Sequence, residues 1–146
     1  MKKELIVKGI YLLLILLFSY TAISKLADLD AYKLEMSRQV FSKPVSHMLI
    51  YTLPGIEILT AVLLITPRFR LTGFILSVLL LLIFTGYVIL ILSGFYNRVP
   101  CACGGVLSIM DWHSHLWFNI FFLVLSALGS VLQYQHKAEV RDIMSI

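Results

Sequence analysis

Charge is scarce in this chain of 146 residues. Asp, Glu, Lys and Arg together make up 14% of it, against about 25% in an ordinary soluble domain. A surface of that composition cannot be kept wet, which excludes a free-standing soluble domain. Cysteine is nearly absent as well: there are two, Cys101 and Cys103, too few for a disulfide-stapled scaffold. With four prolines and eight glycines, the chain has no low-complexity stretch and no internal repeat. Acidic residues are fewer than basic ones, eight against twelve, for a net charge of +4. In a soluble protein that excess would suggest nucleic acid. Here the basic residues flank apolar runs, as headgroups and membrane orientation require, so no nucleic-acid partner is expected.

What is abundant is hydrophobicity, at 60% of residues and a mean hydropathy of +0.92. It falls into four runs, at about 5–24, 48–66, 71–93 and 116–132. The first follows Met1-Lys2-Lys3 and ends near Ala22-Ile23-Ser24, which looks like a leader with a cleavage site. It is longer, however, than the roughly 7–15 apolar residues of a signal peptide. It reads as a retained span in which Lys8 snorkels to the headgroups. Between Ala27 and Pro44, Leu26, Leu29, Tyr32, Met36 and Val40 recur every three to four residues among charged ones. That pattern predicts a short amphipathic helix, capped by Asp28 or Asp30 and ended by Pro44, on the membrane surface or over the bundle mouth. The expected fold is an all-α integral membrane protein, a bundle of four transmembrane helices forming one domain over residues 1–146.

Small residues mark helix contacts, at Gly73 and Ser77 in the third run and at Ser126, Gly129 and Ser130 in the fourth. Trp112 and Trp117 read as an interfacial belt, and the polar stretch from Gln133 as a short cytoplasmic tail. One carboxylate falls inside a span: Glu57, in Pro54-Gly55-Ile56-Glu57. Ionised and unpaired in hydrocarbon it would cost several kcal/mol, so it is expected to face the bundle, protonated or partnered. Lys25, Tyr20, Tyr51 and the histidines are the candidate partners, and pinning helices together is its bland role.

Four spans put both termini on one side, with Lys2, Lys3, Lys8, Arg68, Arg70, Lys137 and Arg141. The other side carries Lys25, Lys33, Arg38, Lys43 and Arg98, interleaved with Asp28, Asp30 and Glu35. The bias favours cytoplasmic termini in a cell inner membrane, with the cysteines facing outward. An outward dithiol can cycle through a disulfide, whereas cytosolic thiols are kept reduced.

The two cysteines lie in Pro-Cys-Ala-Cys-Gly-Gly, residues 100–105. With one residue between them they close only a small, bent ring. Such a loop removes little entropy from the unfolded chain, so a structural staple is the weaker reading. A strained disulfide is the better oxidant, and the two glycines leave room for a partner to reach the sulfurs. Metal binding is the alternative, through Cys101, Cys103, His113 and His115. On a helix, the two histidines would diverge by about 200° and could not share one ion. Either could instead tune a thiol or carry its proton.

Ser24-Lys25-Leu26, Pro54-Gly55-Ile56-Glu57, the turn Pro67-Arg68-Phe69-Arg70 and Pro-Cys-Ala-Cys-Gly-Gly, in this order on four spans, resemble the MauE/DoxX family of redox-associated membrane proteins. The Pro-Cys-x-Cys stretch is most similar to the MauE branch. The resemblance implies a four-helix membrane protein of disulfide formation or electron transfer, of the kind that matures the disulfide-rich subunit of methylamine dehydrogenase. It also implies a thioredoxin-like extracytoplasmic partner. The Cys-x-x-Cys of quinone-coupled disulfide oxidases is absent, as is a second cysteine pair, so the partner must supply the other dithiol. On this reading Cys101 and Cys103 exchange disulfides, while Glu57, Lys25, His113 and His115 are the further site residues. A lipid-soluble quinone is the candidate cofactor, suggested by the membrane location and the aromatic residues near the cysteines. A non-enzymatic assembly or metal-handling protein is the rival from another class.

Overall fold

The computed structural model describes residues 2–96 and 111–144, and these are all helix and turn. Five helices follow one another: α1 Lys2–Ala27, α2 Leu29–Ser37, α3 Lys43–Ile65, α4 Arg70–Leu92 and α5 Trp112–Met144. All but α2 are long and apolar enough to cross a membrane. At 1.5 Å per residue, the 23 residues of α4 reach about 35 Å, enough for a hydrocarbon layer of about 30 Å. The protein is a multi-pass membrane protein. In the bundle α1 packs on α3 and α5, and α4 packs on the same two helices from the other side.

A buried stripe on each helix makes the core. On α1 it runs Val7, Ile10, Leu14, Phe18 and Ala22, and on α3 Ile50, Pro54, Ala61 and Leu64. The spacing of three and four keeps each set on one face. The other faces are equally apolar, with Leu12, Leu16, Ile58, Leu82 and Ile83 exposed, as lipid requires. The small-residue seams close where expected. A Cβ on Gly73 would come within 2.8 Å of the Leu64 backbone nitrogen, and one on Gly129 would overlap the Phe74 ring. Ser77 and Ser126 are fully buried and satisfy their hydroxyls on the carbonyls of Gly73 and Leu123.

The interfacial helix is α2. Asp28 caps it by accepting from the Ala31 amide at 3.0 Å. Tyr32 and Met36 are buried with Ile50 of α3, so α2 covers the bundle mouth. Helix α2 stops at Ser37, however, and Val40 does not continue its apolar face. Gln39 is buried instead and accepts from the Tyr87 hydroxyl at 2.6 Å.

Two boundaries and one side-chain orientation differ from those read in the sequence. Helix α3 starts at Lys43, not near 48, because Pro44 falls in the first turn, where its missing N–H and fixed φ are tolerated. The fourth span continues as helix to Met144, through the polar stretch from Gln133 that reads as a tail. Gln, His, Lys, Ala and Glu are adequate helix formers without proline or glycine to stop them. Lys137 also donates to the Arg68 carbonyl at 3.1 Å, and Glu139 pairs with Lys3 at 3.6 Å. That last contact brings the two ends of the chain to the same end of the bundle. Finally, Trp117 is exposed, but Trp112 turns inward, edge-on to Tyr87 and stacked on His115.

Candidate functional site

Both stripes carry a charge at the end of the bundle away from the termini. Lys25 continues the α1 stripe one turn beyond Thr21 and Ala22, and Glu57 falls between Pro54 and Ala61 on α3. The Lys25 ammonium donates to both carboxylate oxygens of Glu57, at 2.7 and 2.9 Å, and to the Thr21 carbonyl at 3.3 Å. The side chains of Lys25 and Glu57 are 11% and 2% exposed. Of the partners considered for Glu57, Lys25 is therefore the one found. Tyr20 and Tyr51 are exposed, and Tyr51 lies edge-on to His47.

The pair forms part of the wall of a cavity of about 110 Å³, which His115 and Asn119 of α5 also line. Leu17, Phe18, Leu53, Leu81, Phe84 and Phe118 make its apolar walls, and Tyr87 and Trp112 also line it. Among the described residues, two polar atoms here are buried without a hydrogen-bond partner, His115 Nδ1 and Asn119 Nδ2. Asn119 is 4% exposed. Such a group costs about 1–3 kcal/mol if left unsatisfied, and two around one cavity mark a place shaped for a ligand with hydrogen-bonding atoms.

The first turn of α5 holds His115 in place. The Asp111 carbonyl accepts from the His115 amide at 3.0 Å, and its carboxylate accepts from the Ser114 hydroxyl. That bond and the Ser114 and His113 amides hold the Asp111 carboxyl below the usual aspartate range.

Of the residues singled out from the sequence, Lys25, Glu57 and His115 meet at the cavity. His113 does not: two residues from His115 on a helix, it is exposed, so the two imidazoles cannot converge on one ion. Cys101 and Cys103 lie outside the described residues. The chain reaches their segment from Tyr96 and leaves it at Asp111, beside the cavity. Asn119 was not singled out as a site residue. Its signal was its place four residues after His115, on the same helix face.

Residues 3–132 match the family described as methylamine utilisation protein MauE. The match covers most of the chain, and the chain belongs to that family. No curated protein matches it, and no solved structure does.

Proposed function

We propose that this MauE-family protein is a thiol-disulfide redox protein of the inner membrane, serving an extracytoplasmic partner with a dithiol of its own. The observation that carries the reading is the meeting of Lys25, Glu57, His115 and Asn119 around one cavity, at the end of the bundle where the Cys101–Cys103 segment joins α5. Four polar side chains among lipid-facing helices are costly, and at membrane depth such groups are the mark of a functional pathway. The termini are cytoplasmic in this account, and the cysteines face the oxidising side.

A partner thiolate attacks the Cys101–Cys103 disulfide and forms a mixed disulfide. The second partner thiolate resolves it. The partner leaves oxidised, and Cys101 and Cys103 hold two electrons and two protons as thiols. A lipid-soluble quinone held near Asn119 and His115 would supply the two-electron acceptor that returns the pair to the disulfide. The cavity fits the head of such a molecule: its walls are apolar, and the Asn119 amide offers a donor to a carbonyl oxygen. His115 in the tautomer protonated at Nδ1 would offer a second. Lys25 and Glu57 hold a fixed dipole beside them and can pass a proton. A thioredoxin-like fold would suit the partner, and maturation of a disulfide-rich methylamine-oxidising enzyme is the family's implied setting.

Thiol trapping tests the proposal. In membranes carrying Cys103→Ser, the remaining Cys101 is expected to hold a covalent, reductant-sensitive adduct with one extracytoplasmic protein. Full function of the double variant Cys101→Ser/Cys103→Ser, with no adduct from either single variant, would leave a non-redox assembly role.

A further inference from the structure

The opposite end of the bundle holds a second cavity, of about 1290 Å³, between the first turns of α1, the α3–α4 turn and the end of α5. Four cations line it, Lys3, Lys8, Arg70 and Lys137, against two carboxylates, Glu4 and Glu139. One of those carboxylates is engaged by Lys3 at 3.6 Å. Lys8 and Arg70 have no carboxylate within ion-pair distance among the described residues.

Arg70 is the organised member of this cluster. Its Nε donates to the Leu64 carbonyl at 3.1 Å, and its guanidinium lies 4.1 Å from the centroid of the Tyr11 ring. Stacked and tethered in this way, the fork is held in place before any ligand arrives, and the terminal nitrogens keep their donors. The carbonyl of Arg68 in the adjoining turn is already satisfied by Lys137. The same lining also carries the aliphatic side chains Val7, Leu71 and Leu132. A fixed guanidinium with an excess of cations around it, and aliphatic wall in the same cavity, is complementary to an anionic headgroup joined to an acyl chain.

We propose that this cavity binds the phosphate of an anionic phospholipid, with Arg70 as the bidentate contact and Lys8 as a second charge. Basic pockets between transmembrane helices recognise anionic headgroups through this chemistry. A soluble phosphate would satisfy the same cations but leave the apolar wall unused. The site is independent of the cysteines and of the redox reading.

Native mass spectrometry of the full chain tests it, with phosphatidylglycerol, phosphatidylcholine of the same acyl chains, and inorganic phosphate as probes. One phosphatidylglycerol is expected to remain bound where phosphatidylcholine does not, with inorganic phosphate unable to displace it. Arg70→Gln and Lys8→Gln should each weaken retention about fivefold, as expected of one basic contact. Lys33→Gln on α2 should leave it unchanged. The Lys8 side chain makes no intramolecular bond among the described residues, so its variant keeps the test open if Arg70→Gln fails to fold. Equal retention of the two lipids, displacement by inorganic phosphate, or unchanged retention in a folded Lys8 or Arg70 variant would each overturn the proposal.

Discussion

The Lys25 ammonium stands 2.7 and 2.9 Å from the two carboxylate oxygens of Glu57, joining two membrane-spanning helices across 32 residues of sequence. The contact is nearly closed to solvent and sits at a stripe position on both helices. Either residue alone would leave a buried, uncompensated charge.

Single and double replacement should therefore differ sharply. Lys25→Met or Glu57→Leu alone is expected to destabilise the bundle by about 3–5 kcal/mol, while the double variant recovers most of that loss. Thermal unfolding in one detergent reads this directly. If the redox account holds, the double variant is stable and inactive. A pair that only pins helices would leave it active.

Asn119 predicts the opposite pattern. Its Nδ2 has no partner among the described residues, so Asn119→Leu should cost no stability and can add about 1 kcal/mol by removing an unsatisfied donor. Affinity for a quinone analogue should fall about tenfold, in line with the loss of one ligand hydrogen bond of about 1.5 kcal/mol. Unfolding and titration of the same sample separate the two effects.

The seam at Gly129 is steric. Gly129→Ala drives a methyl into the Phe74 ring, and overpacking of this kind costs about 1–3 kcal/mol. Adding Phe74→Leu should restore part of the loss, visible as a partial recovery of melting temperature.

Acid should loosen the start of α5 before the rest of the bundle. The Asp111 carboxyl is held below its ordinary value of 3.8, chiefly by the Ser114 hydroxyl. A depressed folded-state pKa gives a contribution fully present above the unfolded value and lost as pH falls through the folded one. The NMR shift of the Ser114 amide, which faces the Asp111 carboxylate, should show a titration step below the ordinary aspartate range. Asp111→Asn should remove the pH dependence.

Much of this architecture was legible because hydrophobicity and length alone decide a membrane span. The four runs, the amphipathic α2, its Asp28 cap and the glycine seams could all be read from spacing. The lining of the cavity could not. On lipid-facing helices the outer face is as apolar as the inner one, so periodicity does not show that Lys25, Glu57, His115 and Asn119 converge. Glu57 stood out because a carboxylate in hydrocarbon needs a partner, but its choice of Lys25 over two tyrosines depends on helix rotation. Trp112 read as interfacial for a related reason: an aromatic residue at a helix end suits both the headgroup layer and a cavity wall. The extension of α5 was hidden by polarity, which ends a membrane span without ending a helix.

The most direct test of the central claim is an anaerobic single turnover. Fully reduced protein in lipid nanodiscs is mixed with a short-chain quinone, and quinol formation and free thiols are counted together. The account predicts one quinol formed for each pair of thiols lost, with none from Cys101→Ser/Cys103→Ser and a much slower turnover in Asn119→Leu. Thiols that persist beside unreduced quinone would contradict it.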